Sequence, residues 1–572
     1  MNGAVYSEQA QCHDCYKCVR GCPVKAIRVT VGHATVMPER CIACGACVTA
    51  CPSGAKVVRD DTALAVNLLE TRSRVVVSLA PSFVSEFEGI EPGQLIAALR
   101  RLGFHGVSET ALGAQQVSAW VARELDSAEG RILLSTACPV AVDLVQKYHP
   151  ERVPNLAPVH SPLLAHAELL RAHLGPDIAV VFVGPCIAKK LEAEAHPGLL
   201  EAVLTFEELR IWFLQEGIDP AALVPTEEDR FLLGPAAEGA LYPVEGGMAE
   251  ATRINMRGTN TRFMTLSGLG PIQGALRELP EPKGRNIFLE LLACEGGCVC
   301  GPKASRREAV ASRMQVLDYA REEPGACPRT PEAPVASLYR PNPLVETAFG
   351  EEEILPVLER IGKRGPEDEL NCGACGYDSC RELARAILDG RAEGRMCVSN
   401  MRNLAQKKAN ALLRTLPFGV VILGQELEVI ECNEEFVRLM GEDAWLVHET
   451  QPDLAGTHLE KFLSFTEYFQ RVLDSGEEII RESIPCGERT LSVTIFTVEA
   501  HRVIGALLLD VTETDRRQQQ VIEKAQQVIQ NMLTNVQEIA FSLGRNAAKS
   551  EGILNSIIEE FAVRDHSGGP DA

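Results

Sequence analysis

The chain has 572 residues, of which 46% are hydrophobic, and this length predicts several globular domains rather than a single core. Acidic residues outnumber basic ones by 78 to 56, so the net charge of −22 argues against nucleic acid as a partner. The sequence has no secretory signal and no apolar run of about 18 residues, so we expect a cytoplasmic protein without membrane contact.

Cysteine is the most informative residue of the chain. The sequence contains 20 cysteines, most of them grouped at short, fixed spacings. In a long intracellular chain such groups indicate metal ligands, whereas disulfide frameworks are typical of small secreted domains. We therefore read the cysteine groups as metal sites.

The first segment, residues 1–62, contains one cysteine pattern twice. The sequences CHDCYKCVRGCP and CIACGACVTACP both have the spacing C-x2-C-x2-C-x3-C-P. In this spacing three cysteines bind one [4Fe-4S] cluster and the fourth binds its neighbour. We predict a ferredoxin-like domain with two clusters, one held by Cys12, Cys15, Cys18 and Cys51 and the other by Cys41, Cys44, Cys47 and Cys22. Zinc is the alternative, and the doubled pattern argues against it.

Residues 70–345 alternate between strand and helix patterns. Strand-like runs such as DIAVVFVG and NIFLELLAC are separated by helical stretches such as GQLIAALRRLG. This order predicts an α/β domain with a parallel sheet and a ligand at the carboxyl ends of its strands. Cysteines follow three of these strands, namely Cys138, Cys186 and the group Cys294, Cys298 and Cys300. A lone cysteine at the end of a strand is more often a packing residue. The interpretation as metal ligands therefore depends on all of these cysteines together.

The three cysteine loops resemble those of the catalytic domain of [FeFe]-hydrogenases, which run roughly T-S-C-C-P, M-P-C-x-x-K and E-x-M-x-C-x-x-x-C. The corresponding sequences here are STACPVAV, VGPCIAKKLEAE and LLACEGGCVCGP. The resemblance covers residues 70–305 and includes LAPSF, LGFHGVSETALGA, HSPLL and EGGMAEATR.

This resemblance implies an H-cluster, which is a [4Fe-4S] cubane attached to a two-iron subsite with CO, cyanide and dithiolate ligands. The implied cubane ligands are Cys138, Cys186, Cys294 and Cys298, and Cys298 would also bridge to the two-iron subsite. The implied contacts to the cyanides are Lys189, Pro81 and Ser82. Cationic and hydroxyl groups suit anionic ligands, and thiolates suit iron.

The chain departs from the family pattern at several positions. Ala137 replaces the cysteine that relays protons, so that route should fail and turnover should be slow. Gly184, Leu292 and Leu163 replace two methionines and a glutamine, so we expect weaker shielding of the two-iron site. Cys300 is additional, and it is either a packed thiol or a substitute proton relay or cluster neighbour.

A second cysteine module is predicted at residues 350–405. Its ligands would be Cys372, Cys375, Cys380 and Cys397, spaced C-x2-C-x4-C-x16-C. The spacing resembles the small four-cysteine [4Fe-4S] domain of electron-transfer and corrinoid–iron–sulfur proteins. A structural zinc site is the alternative.

The C-terminal third of the chain alternates short strand and helix patterns and then becomes helical. Residues 408–515 resemble a PAS domain with an unidentified ligand, in which Asn433 and Asp510 occupy characteristic positions. Cys432 and Cys486 have no spacing partners there and are read as packing residues. Residues 516–563 carry apolar residues at steps of three or four, which suits either a signalling coiled coil or a helix packed on its own domain.

This domain order resembles that of sensory [FeFe]-hydrogenases. It implies a slow, reversible oxidation of H2 to protons and electrons, with a ferredoxin-like or internal redox partner and cluster maturation proteins. The PAS domain and C-terminal helix would form a homodimer and act on a downstream phosphatase or kinase. The alternatives are an ordinary ferredoxin-linked hydrogenase and a non-catalytic iron–sulfur scaffold or electron-transfer protein without the two-iron subsite.

Overall fold

The computed structural model describes residues 3–127, 129–258, 260–279, 281–305, 309–320, 327–486, 489–512, 526–530 and 532. The chain divides into two compact units, Met1–Gly394 and Arg395–Ala572. Within the described residues, no helix is both long enough and apolar enough to cross a bilayer. Most of the predicted C-terminal helix, 516–563, lies outside the described residues.

The N-terminal head of the first unit has two short helices and two antiparallel strand pairs, β1 with β4 and β2 with β3. The strands are β1 (Val5–Ser7), β2 (Ile27–Thr30), β3 (His33–Val36) and β4 (Lys56–Val58), and the helices are α1 (Lys17–Gly21) and α2 (Ala46–Ala50). Each helix follows a residue with positive φ and ends just before the fourth cysteine of its motif. The repeated cysteine pattern therefore folds into a repeated local structure.

The described residues of the central region of the first unit form seven strands and eleven α-helices. The strands are β5 (Val75–Leu79), β6 (Gly106–Glu109), β7 (Ile132–Leu134), β8 (Ala179–Gly184), β9 (Ala202–Thr205), β10 (Thr261–Ser267) and β11 (Asn286–Leu292). The helices are α3 (Thr62–Thr71), α4 (Phe83–Glu86), α5 (Pro92–Arg101), α6 (Thr110–Ser127), α7 (Pro139–Tyr148), α8 (Pro162–Leu174), α9 (Lys189–Ala195), α10 (Phe206–Gln215), α11 (Gly247–Asn255), α12 (Leu269–Arg277) and α13 (Ala309–Tyr319).

The α/β order predicted for this region is confirmed, but the strands form two parallel sheets instead of one. The first sheet has the order β6-β5-β8-β9 and the second has the order β10-β11-β7. Strands β5, β8 and β11 are buried along their whole length, which explains their nearly continuous apolar sequences. Because both sheets are parallel, each presents the carboxyl ends of its strands at one edge.

A buried ion cluster joins the start of α9 to neighbouring elements. The Lys190 ammonium lies 2.8 Å from the Glu208 carboxylate and 3.2 Å from the Asp61 carboxylate, and the Lys190 side chain is 0% exposed. Glu208 also completes a capping box at the start of α10 with Thr205. The cluster therefore fixes α9 between the first turn of α10 and the segment that precedes α3.

The last part of the first unit carries helices α14 (Glu351–Arg360) and α15 (Cys380–Leu388). Helix α15 begins at Cys380, and the hydroxyl of its N-cap residue Ser379 accepts a hydrogen bond from Glu382 N. The Asn371 side chain accepts a hydrogen bond from Cys380 N at 2.8 Å. These bonds fix the loop that carries three of the four predicted cysteines.

The second unit is an antiparallel sheet with flanking helices, in agreement with the predicted α+β pattern. Its elements are α16 (Val398–Thr415), β12 (Gly419–Leu423), β13 (Val429–Cys432), α17 (Glu434–Met440), α18 (Glu442–Thr450), α19 (Glu467–Ser475), β14 (Ile479–Cys486), β15 (Arg489–Glu499) and β16 (Val503–Asp510). The sheet order is β13-β12-β16-β15-β14. Asn433 fixes the start of the sheet, since its amide donates to the carbonyls of Leu413 and Phe418.

One face of this sheet packs against the described residues of the C-terminal segment. Ile529 is buried with Leu413, Leu416 and Phe418, and Met532 packs against the same cluster. Val528, which the sequence places in the same apolar repeat, is 44% exposed. Cys432 is buried in the core of this unit and Cys486 packs against it, as expected for packing residues.

Candidate functional site

The carboxyl ends of the two parallel sheets meet at one cavity of about 110 Å³. From the first sheet, Pro81 and Ser82 follow β5, and Cys186 follows β8. From the second sheet, Cys138 follows β7, while Cys294 and Cys298 follow β11. All six residues line the cavity. The structure thus brings together side chains that are more than 200 residues apart in the sequence.

Two of the cysteine loops run directly into helices. Cys138 is the N-cap residue of α7, whose first residue is Pro139. Cys186 precedes α9, whose first residue is Lys189. A proline suits the first helical position, where no N–H bond is lost. Cys138 and Cys186 therefore both lie just before the start of a helix.

The third loop depends on its two glycines. Gly296 and Gly297 have φ values of +79° and +94°, a region that residues with a side chain rarely adopt. A Cβ atom on Gly297 would also lie 2.4 Å from the Pro243 carbonyl oxygen. The glycine pair therefore allows the loop to turn back tightly, so that Cys294 and Cys298 both reach the cavity.

The cavity thiols are strongly desolvated. Burial raises the pKa of Cys186 to about 11, and the nearby Cys138 thiol adds to the rise while Lys189 opposes it. Burial also raises the pKa of Cys294 and Cys298, with the neighbouring thiols adding to it. Ligation by iron requires thiolates, so cluster binding must release protons here.

Lys189 supplies positive charge at the wall of the cavity. Its ammonium group donates to the Ser161 hydroxyl at 3.0 Å and to the Glu192 carboxylate at 2.6 Å. Both side chains of this ion pair are about nine-tenths buried. Glu192 therefore compensates the lysine charge and orients the ammonium group beside Cys186 and Cys298.

The Ser82 hydroxyl can donate a hydrogen bond to a ligand in the cavity. The side chain is 2% exposed, and no described residue offers its Oγ atom a hydrogen bond. A buried polar atom of this kind is costly unless it has a partner. Because Ser82 lines the same cavity as the thiols, its hydroxyl fits an anionic ligand of the implied two-iron subsite.

The donor set of the cavity therefore fits the implied group. Four thiols suit a [4Fe-4S] cubane, and the Lys189 ammonium and Ser82 hydroxyl suit anionic ligands on a neighbouring metal. Among the residues described, no group of three or more His, Cys, Asp and Glu is arranged to hold a single metal ion. A cubane binds each thiolate at a different iron atom, so its ligands stand further apart.

The rest of the cavity wall is mostly apolar. Ala137, Leu163 and Leu292 line it, at the positions where the sequence departs from the family pattern. Gly184 leaves room for Phe182, because a Cβ on Gly184 would lie 2.4 Å from the Phe182 ring. The Phe182 ring lines the cavity, and it thereby supplies shielding that we expected to be weakened.

The lining residues that the sequence did not identify include Phe182, Thr110 and Tyr242. Thr110 follows β6, so the rule that ligands lie at carboxyl ends of strands could have found it. Cys300 is not among the described residues that line the cavity. It packs instead against the cluster of Val244, Val299 and Val316, as a packed thiol would.

The head groups its eight cysteines into two sets. Burial raises the pKa of Cys18 to about 11, with Lys56 opposing, and its contributing thiols are Cys15, Cys12 and Cys51. Burial also raises the pKa of Cys47, and the thiols that add most to the rise are Cys41, Cys44 and Cys22. These neighbours are the ones that the spacing predicts for the two clusters.

The second set of head cysteines lies next to the cavity loops. A Cβ atom on Gly45 would be 2.5 Å from Pro302 and 2.8 Å from Ile187, so the backbone beside Cys44 packs directly on the second and third loops. The Cys44 thiol also contributes to the raised pKa of Cys294, although burial dominates that shift. The cluster of Cys41, Cys44, Cys47 and Cys22 would therefore be the one nearest the cavity.

The four-cysteine loop packs against helix α1 of the head. Arg20 donates to the carbonyls of Ala374 and Cys15, at 3.4 and 3.0 Å. A Cβ atom on Gly376 would lie 2.9 Å from Val19. Cys372, Cys375 and Cys380 belong to the first unit and Cys397 to the second, so their joint ligation of one cluster stays a prediction.

Three family models match the chain. Residues 73–302 match the model described as iron only hydrogenase large subunit, C-terminal domain. Residues 4–52 match a 4Fe-4S dicluster domain, and residues 368–399, which include all four cysteines of the second module, match an Fe-S cluster model. Iron–sulfur clusters of the 4Fe-4S type are therefore supported for the chain.

The curated relatives include both hydrogenases and assembly factors. The chain is 25% identical to the periplasmic [Fe] hydrogenase large subunit of Nitratidesulfovibrio vulgaris, over 39% of this chain and 65% of that protein. It is 26% identical to the HndD subunit of the NADP-reducing hydrogenase of Solidesulfovibrio fructosivorans, over 46% of this chain and 55% of that subunit. A cytosolic Fe-S cluster assembly factor of Danio rerio is 24% identical to the chain, over 46% of this chain and 81% of that protein.

The chain thus spans less than two thirds of the length of these two hydrogenases. Among solved structures, an [FeFe]-hydrogenase of Chlamydomonas reinhardtii has a TM-score of 0.40 and 19% identity, and covers 50% of this chain and 100% of that chain.

Proposed function

We propose that this protein, which belongs to the iron-only hydrogenase family through residues 73–302, is a slow H2-sensing hydrogenase. It would oxidise H2 reversibly to protons and electrons at an H-cluster in the cavity. The redox state of its iron–sulfur clusters would then reach the second unit. The observation that carries the proposal is the joint lining of one cavity by four thiols, Lys189 and Ser82, whose hydroxyl has no hydrogen-bond partner in the described part of the chain.

The residues of the chain would have distinct tasks at this site. Cys138, Cys186, Cys294 and Cys298 would hold the cubane, and Cys298 would also bridge to the two-iron subsite, which supplies the chemistry of H2 cleavage when bound. Lys189, oriented by Ser161 and Glu192, would donate to one cyanide, and Ser82 with Pro81 would contact the other. Phe182, Leu163 and Leu292 would exclude water from the reacting centre.

Electrons would leave the cavity through the head. The loops that carry Cys186 and Cys294 contact the backbone at Gly45, so the cluster of Cys41, Cys44, Cys47 and Cys22 would receive them first. The four-cysteine module contacts the same head through Arg20. Its cluster would therefore read the redox state of the head clusters rather than that of the cavity itself.

The second unit would convert the redox state into a signal. Residues 408–515 have the five-stranded antiparallel sheet and flanking helices that suit a PAS domain, and the C-terminal segment packs on this sheet through Ile529 and Met532. We propose a cytoplasmic homodimer, formed by the PAS domain and the C-terminal helix 516–563. Its downstream partner would be a phosphatase or kinase, and maturation proteins would load the H-cluster.

Infrared spectroscopy on the full chain, matured with a two-iron precursor, tests the proposal. We expect CO and cyanide bands that shift when H2 is added, together with reduction of the head clusters seen by electron paramagnetic resonance. Lys189→Met should weaken or abolish the bands, because the anionic cyanides lose their cationic contact. Arg253→Met, at a half-exposed surface ion pair with Glu250, is the matched control.

Two other functions make different predictions in the same experiment. A scaffold or electron-transfer protein would show no CO or cyanide bands, and similarity to an assembly factor favours this alternative. An ordinary ferredoxin-linked hydrogenase would show the bands and also evolve H2 rapidly, in spite of Ala137. Slow turnover with fully developed bands supports the sensor.

A further inference from the structure

A continuous chain of buried side chains leads away from the cavity. Thr110, which lines the cavity, has its hydroxyl 2.7 Å from the Ser78 hydroxyl. The Ser78 hydroxyl lies 2.8 Å from Nδ1 of His166, and Nε2 of His166 lies 3.0 Å from the Ser108 hydroxyl. Ser108 then donates to the Leu232 carbonyl at 2.9 Å. Four consecutive hydrogen bonds thus start at the candidate site.

The donor and acceptor groups of these side chains allow only one direction of hydrogen bonding from Thr110 to Leu232. The Leu232 carbonyl can only accept, so the single Ser108 proton points to it and Ser108 must accept from Nε2–H of His166. The His166 Nδ1 atom then has no proton and accepts from Ser78. Ser78 in turn accepts from Thr110. Every donor therefore points away from the cavity, which leaves the Thr110 oxygen free to accept there.

The surroundings keep His166 neutral. The ring is 0% exposed, and burial alone lowers its pKa to about 3. A neutral imidazole both donates and accepts, whereas an imidazolium could only donate. The far end of the chain lies beneath residues 232–234, where Leu233 is 39% exposed and the space beside Gly234 is open.

We propose that Thr110, Ser78, His166 and Ser108 form a proton relay between the cavity and solvent near residues 232–234, in place of the route that Ala137 cannot serve. This proposal rests on the proposed function. When Thr110 accepts a proton in the cavity, its own proton passes to Ser78, the Ser78 proton to Nδ1 and the Nε2 proton to Ser108. The Ser108 hydroxyl, which donates to the Leu232 carbonyl at rest, must then turn away from this carbonyl to release its proton to solvent that enters near residues 232–234. One proton leaves for each one that enters, and no electrons move.

The relay also predicts slow turnover. After each transfer the imidazole carries its proton on Nδ1, and the hydroxyl groups point in the opposite direction. The ring must turn over, within a closely packed core, before the next proton can pass. A slow relay suits a sensor, which needs the site to respond to H2 without rapid catalysis.

The relay is tested by Ser78→Ala, His166→Gln and Ser108→Ala, each of which interrupts a different link. In matured protein with normal CO and cyanide bands, each variant should slow the H2-driven reduction of the head clusters by about 10²-fold, the scale of one lost proton-transfer step. The controls are His173→Gln, on the same helix but half-exposed, and Thr252→Val, which removes one buried hydroxyl elsewhere.

A second measurement does not depend on activity. Nitrogen-15 NMR of histidine-labelled protein without the two-iron subsite should show His166 in the Nε2–H form, with slower exchange of this proton with solvent in Ser108→Ala. The Nδ1–H form, or unchanged rates in folded, matured Ser78→Ala, would overturn the relay alone. Absence of CO and cyanide bands in the wild-type protein would overturn the proposed function and the relay together.

Discussion

The N-terminal head and the central cavity both collect cysteines around predicted clusters, but they do so by different means. In the head, each motif supplies three neighbouring cysteines on a turn and a helix of five residues. In the cavity, four cysteines come from three loops at the ends of buried strands in two sheets. The head has strands of only three or four residues, whereas the cavity loops rest on a large apolar core.

This difference indicates which region needs bound iron in order to fold. A small segment with short elements buries little apolar surface, so cluster binding must contribute much of its folding free energy. The sheets beneath the cavity can fold on hydrophobic burial alone. We therefore expect the head to need its iron in order to fold, and the cavity to exist before iron arrives.

The largest expected effect is that of Cys298→Ser, which would remove the thiolate that we propose to join the cubane to the two-iron subsite. We expect complete loss of CO and cyanide infrared bands, while the head clusters keep their electron paramagnetic resonance signals. Cys300→Ser is the matched control, because Cys300 is two residues away and packs outside the cavity. Bands that persist in Cys298→Ser would contradict the assignment of this residue.

Iron removal should separate the two regions directly. In protein prepared without iron, we expect amide hydrogen exchange of residues 3–58 to be accelerated by about 10⁴-fold, because global protection corresponds to several kcal/mol. Strands β5 and β8 should keep their protection. Equal protection of both regions without iron, measured by mass spectrometry, would contradict the expectation that only the head needs iron in order to fold.

The scaffold of the cavity should depend on the buried ion cluster at Lys190. Replacement by methionine leaves the carboxylates of Glu208 and Asp61 buried without their cation, so we expect about 3–5 kcal/mol of lost stability. The control is Lys303→Met, which breaks a more exposed ion pair with Glu207 and should cost about 0–1 kcal/mol. Denaturant unfolding of iron-free protein measures both, and equal effects would argue against a structural role of the cluster.

The smallest expected effect concerns Glu290 on β11. Burial raises the pKa of this carboxyl from 4.5 to about 7, although Met248 N and Ala249 N donate to it. The folded state therefore holds a proton that the unfolded state releases, and stability should fall as the pH rises from 4.5 to about 7. Glu290→Gln should remove this fall of the unfolding free energy with pH, measured by denaturant unfolding of iron-free protein at several pH values. An unchanged pH dependence would contradict the raised pKa.

The sequence was most informative where structure is local. The repeated spacing predicted the two cysteine sets of the head, and the structure places the same thiols near one another. The alternation of strands and helices predicted the α/β region, because buried parallel strands have nearly continuous apolar sequences. The α+β order of the second unit was predicted in the same way.

Other features could not be predicted because they depend on packing between distant segments. The division into two sheets follows from the pairing of β7 with β11, which no local pattern encodes. Phe182 replaces lost shielding only because the backbone at Gly184 leaves it room. The chain from Thr110 to Ser108 joins two strands and two helices through His166, a residue that looks like an ordinary core position in the sequence.

By itself, the sequence determined the cysteine groups and their cluster type, since spacing along the chain fixes which thiolates can reach a common cluster. Only the tertiary structure decided that three distant loops share one cavity, that Ser82 lines it without a hydrogen-bond partner among the described residues, and that His166 is linked to it by hydrogen bonds. The physical reason is that such contacts depend on the pairing and direction of strands. These are set by burial of the whole core rather than by neighbouring residues.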